Sequence, residues 1–219
     1  MGNNKERATK LRKRGKSYKI ISKELGVPKS TLSKWFSQEK WSQKISNDLA
    51  KKANYLARER ILKINKEHSY KWEQWREGFR KEAREEFPNL IKDPLFIAGI
   101  SLYWGEGDSK MSNGIVRLSN VDPCLITIFV HFLQQILKVR LENLRVALVL
   151  YSDLSDNDCK NFWSRITGVP IKQFHKSQFI KGRHPTKRSE HGICGVVLSS
   201  RGAKEKIFTW IKLFCEKYQ

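Results

Sequence analysis

From Asn47 to Phe87 the chain holds no proline and a single glycine, Gly78. Within that stretch Ala57, Ile61, Ile64, His68, Trp72, Trp75 and Phe79 recur at spacings of four and three. That is the period of one helix face. The other positions are rich in Lys, Arg and Glu. The spacing predicts one long amphipathic helix, ended by Pro88. Trp72 and Trp75 read as packing residues, and His68 as an interior histidine on the same stripe. Such a helix packs on the domain that follows or pairs with its copy in a second chain. It divides the sequence into residues 1–40, a helical connector over 41–92 and a larger domain over 93–219.

The charge balance defines the class of partner. The 219 residues carry a formal net charge of +21. Residues 1–94 hold 25 Lys and Arg against 12 Asp and Glu, and residues 95–219 hold 18 against 10. Both parts are basic, so the charge is not one tail, and a polyanion such as nucleic acid is the expected partner. A hydrophobic content of 39% with seven Trp and eleven Phe argues for real cores. Cys124, Cys159, Cys194 and Cys215 form no C-x-x-C pair, which argues against zinc and for ordinary reduced thiols. The N-terminus has no signal-peptide pattern, and the apolar run Leu125–Leu133 is too short for a bilayer. The expectation is a soluble intracellular protein, cytoplasmic and associated with the nucleoid, with no membrane partner.

The first 36 residues contain 11 Lys and Arg against two Glu. Ala8 and Leu11 mark one side of a charged helix over residues 5–14, ended by Gly15. Ser17 reads as the N-cap of a helix through Leu25. Gly26-Val27-Pro28 makes a tight turn, and a second helix runs from Lys29 to about Phe36. Ile21, Leu25, Val27, Leu32 and Trp35 or Phe36 have the spacing to pack the two helices across that turn. The segment S-Y-K-I-I-S-K-E-L-G-V-P-K-S-T-L-S-K-W-F resembles the helix-turn-helix of resolvase- and transposase-type DNA-binding domains. That resemblance implies a second helix entering the major groove, with Lys29, Ser30, Thr31, Ser33 and Lys34 toward the DNA.

Beyond residue 92 the pattern is mixed. Asp93-Pro94 starts a helix, apolar nearly all round, that ends in Trp104-Gly105-Glu106-Gly107-Asp108. Small residues at Ala98, Gly99 and Ser101 suit close helix approach, and both sides of the helix are expected to be covered. Ile115–Leu118 reads as a strand, Cys124 to about Leu137 as a helix after Asp122-Pro123, and residues 144–151 as a strand. A helix from Ser155 or Asp156 to Gly168 follows. A hairpin is then expected, with strands Gln173–Ile180 and Ile193–Ser199 around a basic loop. Ser200 caps a last amphipathic helix. The order predicts an α+β fold, an antiparallel sheet covered by helices.

The segment Phe96–Asp108, with V-R-L-S-N-V-D-P and F-W-S-R-I-T-G-V-P-I-K-Q-F after it, resembles a single-motif LAGLIDADG-type domain over residues 94–215. Gly105-Glu106-Gly107 matches the ending of that family's signature helix. Ser101 falls where the family has its first glycine, and Trp104 where the other aspartate stands. The resemblance implies a homing-endonuclease-like protein cleaving double-stranded DNA with Mg²⁺, in which two such helices meet and their terminal acids hold the ions. One motif per chain implies a homodimer. Glu106 would be the catalytic metal ligand, with the Gly105 carbonyl and Asp108 as further ligands. DNA contacts are expected from Arg117 and from the basic segment holding Lys172, Lys176, Lys181, Arg183, Lys187 and Arg188. Its three histidines, His175, His184 and His191, have no clean metal-ligand spacing. A non-catalytic DNA-binding transcription regulator on the same fold is the alternative. A recombinase would need a nucleophilic Ser or Tyr with an Arg cluster, or three acids, and no such set stands downstream.

Overall fold

Turn and cap residues in the first forty positions set the local structure. The computed structural model describes residues 2–181 and 189–219. Helix α1 (Gly2–Lys13) gives way at Gly15, whose φ of 81° suits a residue without a Cβ. Ser17 accepts from the Ile20 amide and caps α2 (Tyr18–Leu25), which Gly26 ends in the left-handed region. Helix α3 (Lys29–Phe36) follows at once. Ala8, Ile21, Val27, Leu32 and Phe36 form a small core, with Leu11, Leu25, Trp35 and Trp41 against it. Arg12 is buried beneath them and, among the described residues, pairs with no carboxylate. Its guanidinium donates to Ser42 Oγ at 3.0 Å, the Ser42 carbonyl at 2.8 Å, Ser46 Oγ and the Lys16 carbonyl at 3.0 Å, and lies over the Tyr18 ring. These neutral acceptors satisfy the buried cation and join α1 to the start of the next helix.

That helix, α4, runs from Lys40 to Leu90. Pro88 does not end it. A proline this close to the terminus removes one backbone bond, and the last turn closes through Ile91 N–H to Phe87 O. Contacts divide the chain into two units, Met1–Lys71 and Trp72–Gln219. The expected burial of the α4 stripe fails over its middle. His68 is exposed, and Ile61, Ile64, Trp72 and Trp75 are 56%, 44%, 58% and 44% exposed. Trp72, Trp75 and Phe79 instead pack edge-to-face on one another. Helical period fixes which residues share a face, not whether anything covers it.

From Phe79 onward the stripe is covered. Ala83 is fully buried, its carbonyl accepts from Trp210 Nε1 at 3.0 Å, and Phe87 meets Phe96 edge-on. Arg80 pairs with the buried Glu205 at 2.8 Å, and Lys206 pairs with Glu82 and Glu86.

The second unit continues α5 (Pro94–Glu106), β1 (Ile115–Asn120), α6 (Pro123–His131), β2 (Leu144–Tyr151), α7 (Asp156–Thr167), β3 (Gln178–Ile180), β4 (Ile193–Ser199) and α8 (Arg201–Lys217). Asp93, Asp122, Ser155 and Ser200 cap their helices through side-chain oxygens. A π turn over Phe132–Ile136 extends α6. The fold is α+β, but the sheet is mixed rather than antiparallel. Its strand order is β1-β4-β2-β3, with β4 antiparallel to both β1 and β2, and β2 parallel to β3.

The expected β3–β4 hairpin is therefore absent. Both edges of β4 are taken by β1 and β2, which suits the nearly continuous apolar run Ile193–Leu198. Val116, Leu118, Leu144, Val146, Leu148, Leu150, Cys194, Val196 and Leu198 line the covered face and pack on Phe96, Phe129, Trp163 and Trp210. Cys159 and Cys194 are buried, Cys215 is half-buried and Cys124 is exposed. Among the described residues no helix is long and apolar enough to cross a membrane.

Candidate nucleic-acid interface

The period-two alternation that buries one face of the sheet leaves the other open. Arg117 of β1 and Arg145 of β2 both lie opposite Val197 of β4, so two exposed guanidinium groups flank one apolar residue across three strands. They line an open cleft of about 780 Å³ with Lys138, Asn143 and His175. Among the described residues lining this cleft there is no Asp or Glu. Arg145 is held by hydrogen bonds to the Glu142 and Leu144 carbonyls at 2.7 and 2.9 Å. Lys138 follows the π turn with a φ of 55°, unusual for a residue with a side chain. The His175 amide donates to the Val146 carbonyl at 2.8 Å, which fixes that residue beside β2.

Arg117, expected from the sequence as a DNA contact, is exposed on β1 and lines this cleft. Arg145 and Lys138 are the residues sequence reasoning missed. Alternation along L-R-V-A-L-V-L-Y already carried Arg145 to the face opposite Val146, whereas nothing local marked Lys138. Lys172, Lys176 and Lys181 are exposed near β3. They lie in the segments before and after β3, a short strand that pairs in parallel with β2 rather than forming a two-stranded ribbon with β4. Arg183, His184, Lys187 and Arg188 lie outside the described residues.

At the end of α5 the sequence runs from buried to open within four residues. Gly99 lets the helix approach the π turn, because a Cβ there would come 2.1 Å from the Phe132 ring. Tyr103 is buried and its hydroxyl donates to the Asp108 carbonyl at 2.9 Å. Burial, and the Asp108 charge after it, push its phenol well above the ordinary range. Gly107 is required for space, since its Cβ would meet the Tyr103 carbonyl at 2.4 Å. The outward side of α5 is uncovered, contrary to expectation: Ser101 and Gly105 are exposed and Trp104 is 59% exposed. Glu106, the last helical residue, is exposed as well.

Asp108 is built into the chain turn that follows. Its carboxylate accepts from the Lys110 amide at 2.8 Å and from Asn113 Nδ2 at 2.7 Å, with Lys204 Nζ at 3.8 Å. The Lys110 amide, then the Asn113 amide, and more weakly the Lys204 and Arg117 charges hold its carboxyl below the usual range. Lys204 is fully buried and donates to the Ile115 carbonyl at 2.8 Å and to Asn113 Oδ1 at 3.1 Å; burial pushes its ammonium pKa down. The Asp108 amide in turn donates to the Arg117 carbonyl at 2.9 Å, tying the end of α5 to the strand that carries Arg117.

The donor set suits a hard cation in part. A helix C-terminus presents carbonyl oxygens without helical partners and the negative end of the dipole. Beside them stands the exposed Glu106 carboxylate, an oxygen ligand of the type Mg²⁺ takes. Among the described residues no three His, Cys, Asp or Glu gather into a metal-holding group, so one chain offers one open carboxylate here.

In the first unit Lys29, Ser30 and Lys34 of α3 are exposed and Thr31 and Ser33 half-buried, while Leu32 and Phe36 point into the core. The two halves of the α3 pattern therefore separate into a packed side and a polar side. Compared with protein-family models, with curated proteins and with solved structures, the chain finds no match.

Proposed function

We propose that the chain is a double-stranded DNA-binding protein, contacting DNA through the open face of its sheet and through the polar side of α3. The observation that carries this reading is the cleft of Arg117, Lys138, Arg145 and His175 with no carboxylate among its described lining. Two arginines about one strand spacing to either side of Val197 suit phosphate oxygens, which their planar forks bind in pairs. Their separation across strands at about 4.8 Å each is on the scale of a groove wall. The exposed Lys29, Ser30 and Lys34 supply donors for base edges and phosphates in the manner of a helix-turn-helix.

The finer reading is a LAGLIDADG-like, homing-endonuclease-like domain acting as a homodimer. The uncovered side of α5, with Ser101, Trp104 and Gly105 exposed, gives a second copy a place to pack. Two Glu106 carboxylates brought together in that way would hold Mg²⁺ with the Gly105 carbonyls, and the bound ions would supply Lewis-acid stabilisation to phosphodiester hydrolysis. Arg117 and Arg145 hold the phosphate backbone, and the Asp108–Arg117 backbone bond keeps Glu106 in register with them. A specific observation favours the second reading, a non-catalytic DNA-binding regulator. Asp108 is occupied by two N–H donors, and Trp104 stands where the family's other acid belongs.

Duplexes selected from a random pool in Ca²⁺ and then moved to Mg²⁺ separate the two. Cuts at a fixed place that vanish in Glu106→Gln establish the nuclease. Bound sites that stay intact in Mg²⁺ establish the regulator, and a failure to retain any duplex refutes both.

A further inference from the structure

Between α1 and α3 lies an open groove of about 1010 Å³ that the α2–α3 reading leaves unused. Its α1 wall carries Lys5, Thr9, Lys10 and Lys13, and its α3 wall Thr31 and Trp35, over a floor at Val27. Lys5, Thr9 and Lys13 repeat every four residues and so share one helix face. All three lysines are exposed, and among the described residues none pairs with a carboxylate. Among the described lining residues Glu6 is the single acid. Lys13 lies 5.7 Å from the Trp41 ring centre, so an aromatic neighbour rather than a counter-ion holds it. Thr9 donates its hydroxyl to the Lys5 carbonyl at 2.8 Å.

We infer that this groove seats one sugar-phosphate strand of the DNA, with Lys5, Lys10 and Lys13 each neutralising a phosphate and Trp35 and Thr31 lying against the deoxyribose. The inference rests on the DNA-binding reading and deepens it, since α1 takes no part in that reading as the sequence gives it. Thr31 is the link, because it belongs both to the exposed first turn of α3 and to the groove wall. A duplex touching the start of α3 therefore has a backbone strand beside α1. The dimensions agree. The eight helical steps from Lys5 to Lys13 rise about 12 Å. One strand of B-DNA advances about 3.4 Å per phosphate along the axis while turning about it, which sets successive phosphates roughly 7 Å apart, so that length reaches two to three of them. A half-buried Trp with a Thr methyl gives a sugar ring an apolar wall, while the lysines on the rim meet the charge.

The test is the salt dependence of duplex binding by the full chain, read by anisotropy of a labelled mixed-sequence duplex. Each lost phosphate contact removes about 0.9 from the log–log slope. The triple Lys5→Gln, Lys10→Gln, Lys13→Gln variant is expected to show a slope shallower by about 2.7, with each single variant losing about a third of that. A control with the same charge loss, Lys81→Gln, Lys212→Gln, Lys217→Gln, keeps the wild-type slope. An unchanged slope in the groove triple, with wild type still binding, overturns the inference and leaves the DNA reading standing. Wild type that fails to bind duplex at low salt removes both. Polyglutamate binding that the groove triple abolishes, with the duplex slope unchanged, assigns the groove to an acidic peptide instead.

Discussion

Two glycines on one helix face opposite fates. A Cβ on Gly99 would lie 2.1 Å from Cδ2 and 2.2 Å from Cγ of Phe132, whereas a Cβ on Gly105 meets nothing within 4 Å. Carbon atoms pack at about 3.5–4.0 Å, so Gly99→Ala requires the Phe132 ring to retreat by about 1.5 Å. That ring has no room to do so, being fully buried and stacked on Phe129 with centres 6.0 Å apart. Overpacking of this kind costs about 3 kcal/mol at the upper end of the usual range. Replacing a helical glycine returns about 1 kcal/mol of backbone entropy, which leaves a net loss near 2 kcal/mol. In a unit of about 150 residues that lowers the melting temperature by about 4–8 °C. Gly105→Ala keeps the entropic gain without the clash and should raise stability by up to about 1 kcal/mol. Differential scanning calorimetry of both variants decides the matter. Adding Phe132→Leu to Gly99→Ala should recover part of the loss, a coupling a double-mutant cycle measures. If Gly99→Ala were as stable as wild type, the close α5–π-turn contact, and with it the placement of Glu106, would be refuted.

Other residues give independent checks. Arg12→Ala strips donors from Ser42, Ser46 and the Lys16 carbonyl and leaves a cavity, so it should destabilise the first unit by about 3 kcal/mol in chemical denaturation; a loss below about 1 kcal/mol would sink that account. Trp210→Phe removes the buried bond to the Ala83 carbonyl and should cost about 2 kcal/mol by the same measurement. The Lys160 ammonium at 2.7 Å, and then the Ser177 hydroxyl, hold the Asp156 carboxyl below its ordinary value of 3.8. Because the folded pKa is depressed, this stability is present above about 3.8 and lost as pH falls through the folded value. The melting-temperature gap between wild type and Asp156→Asn should therefore close in acid, and a gap independent of pH would contradict it. Arg117→Ala with Arg145→Ala should flatten the salt dependence of duplex binding by about 1.8 in log–log slope, and an unaltered slope would remove the sheet face from the interface.

Local signals carried much of this molecule. Ser17, Gly26, Asp93-Pro94, Asp122-Pro123, Ser155 and Ser200 begin or end helices in the structure at or next to the expected positions, because a cap is a bond between a side chain and the backbone a few residues away. The strand over 144–151 and the succession of helices and strands after residue 92 were legible for the same reason, as period and turn chemistry act within one element. Of the candidate site, the exposure of Arg117, Lys29, Ser30 and Lys34 agrees with such patterns, whereas Thr31 and Ser33 are half-buried. The charge of +21 alone pointed to a polyanion.

What tertiary structure decided were the pairings between distant segments. Gln178–Ile180 and Ile193–Ser199 look like a hairpin in sequence, yet β4 is claimed on both sides by β1 and β2 and β3 is left to pair in parallel with β2. The Trp72–Trp75 stretch has the period of a buried face, yet burial needs a partner, and α8 supplies one only from Phe79 onward. Lys138 reaches the cleft because a π turn ends beside it, and Asp108 is drawn into a turn by Asn113 and Lys204, some five and ninety-six residues away. Sequence spacing determines which side chains share a face of one element; the free energy of packing between elements determines which faces meet, and that sum runs over residues no local pattern brings together.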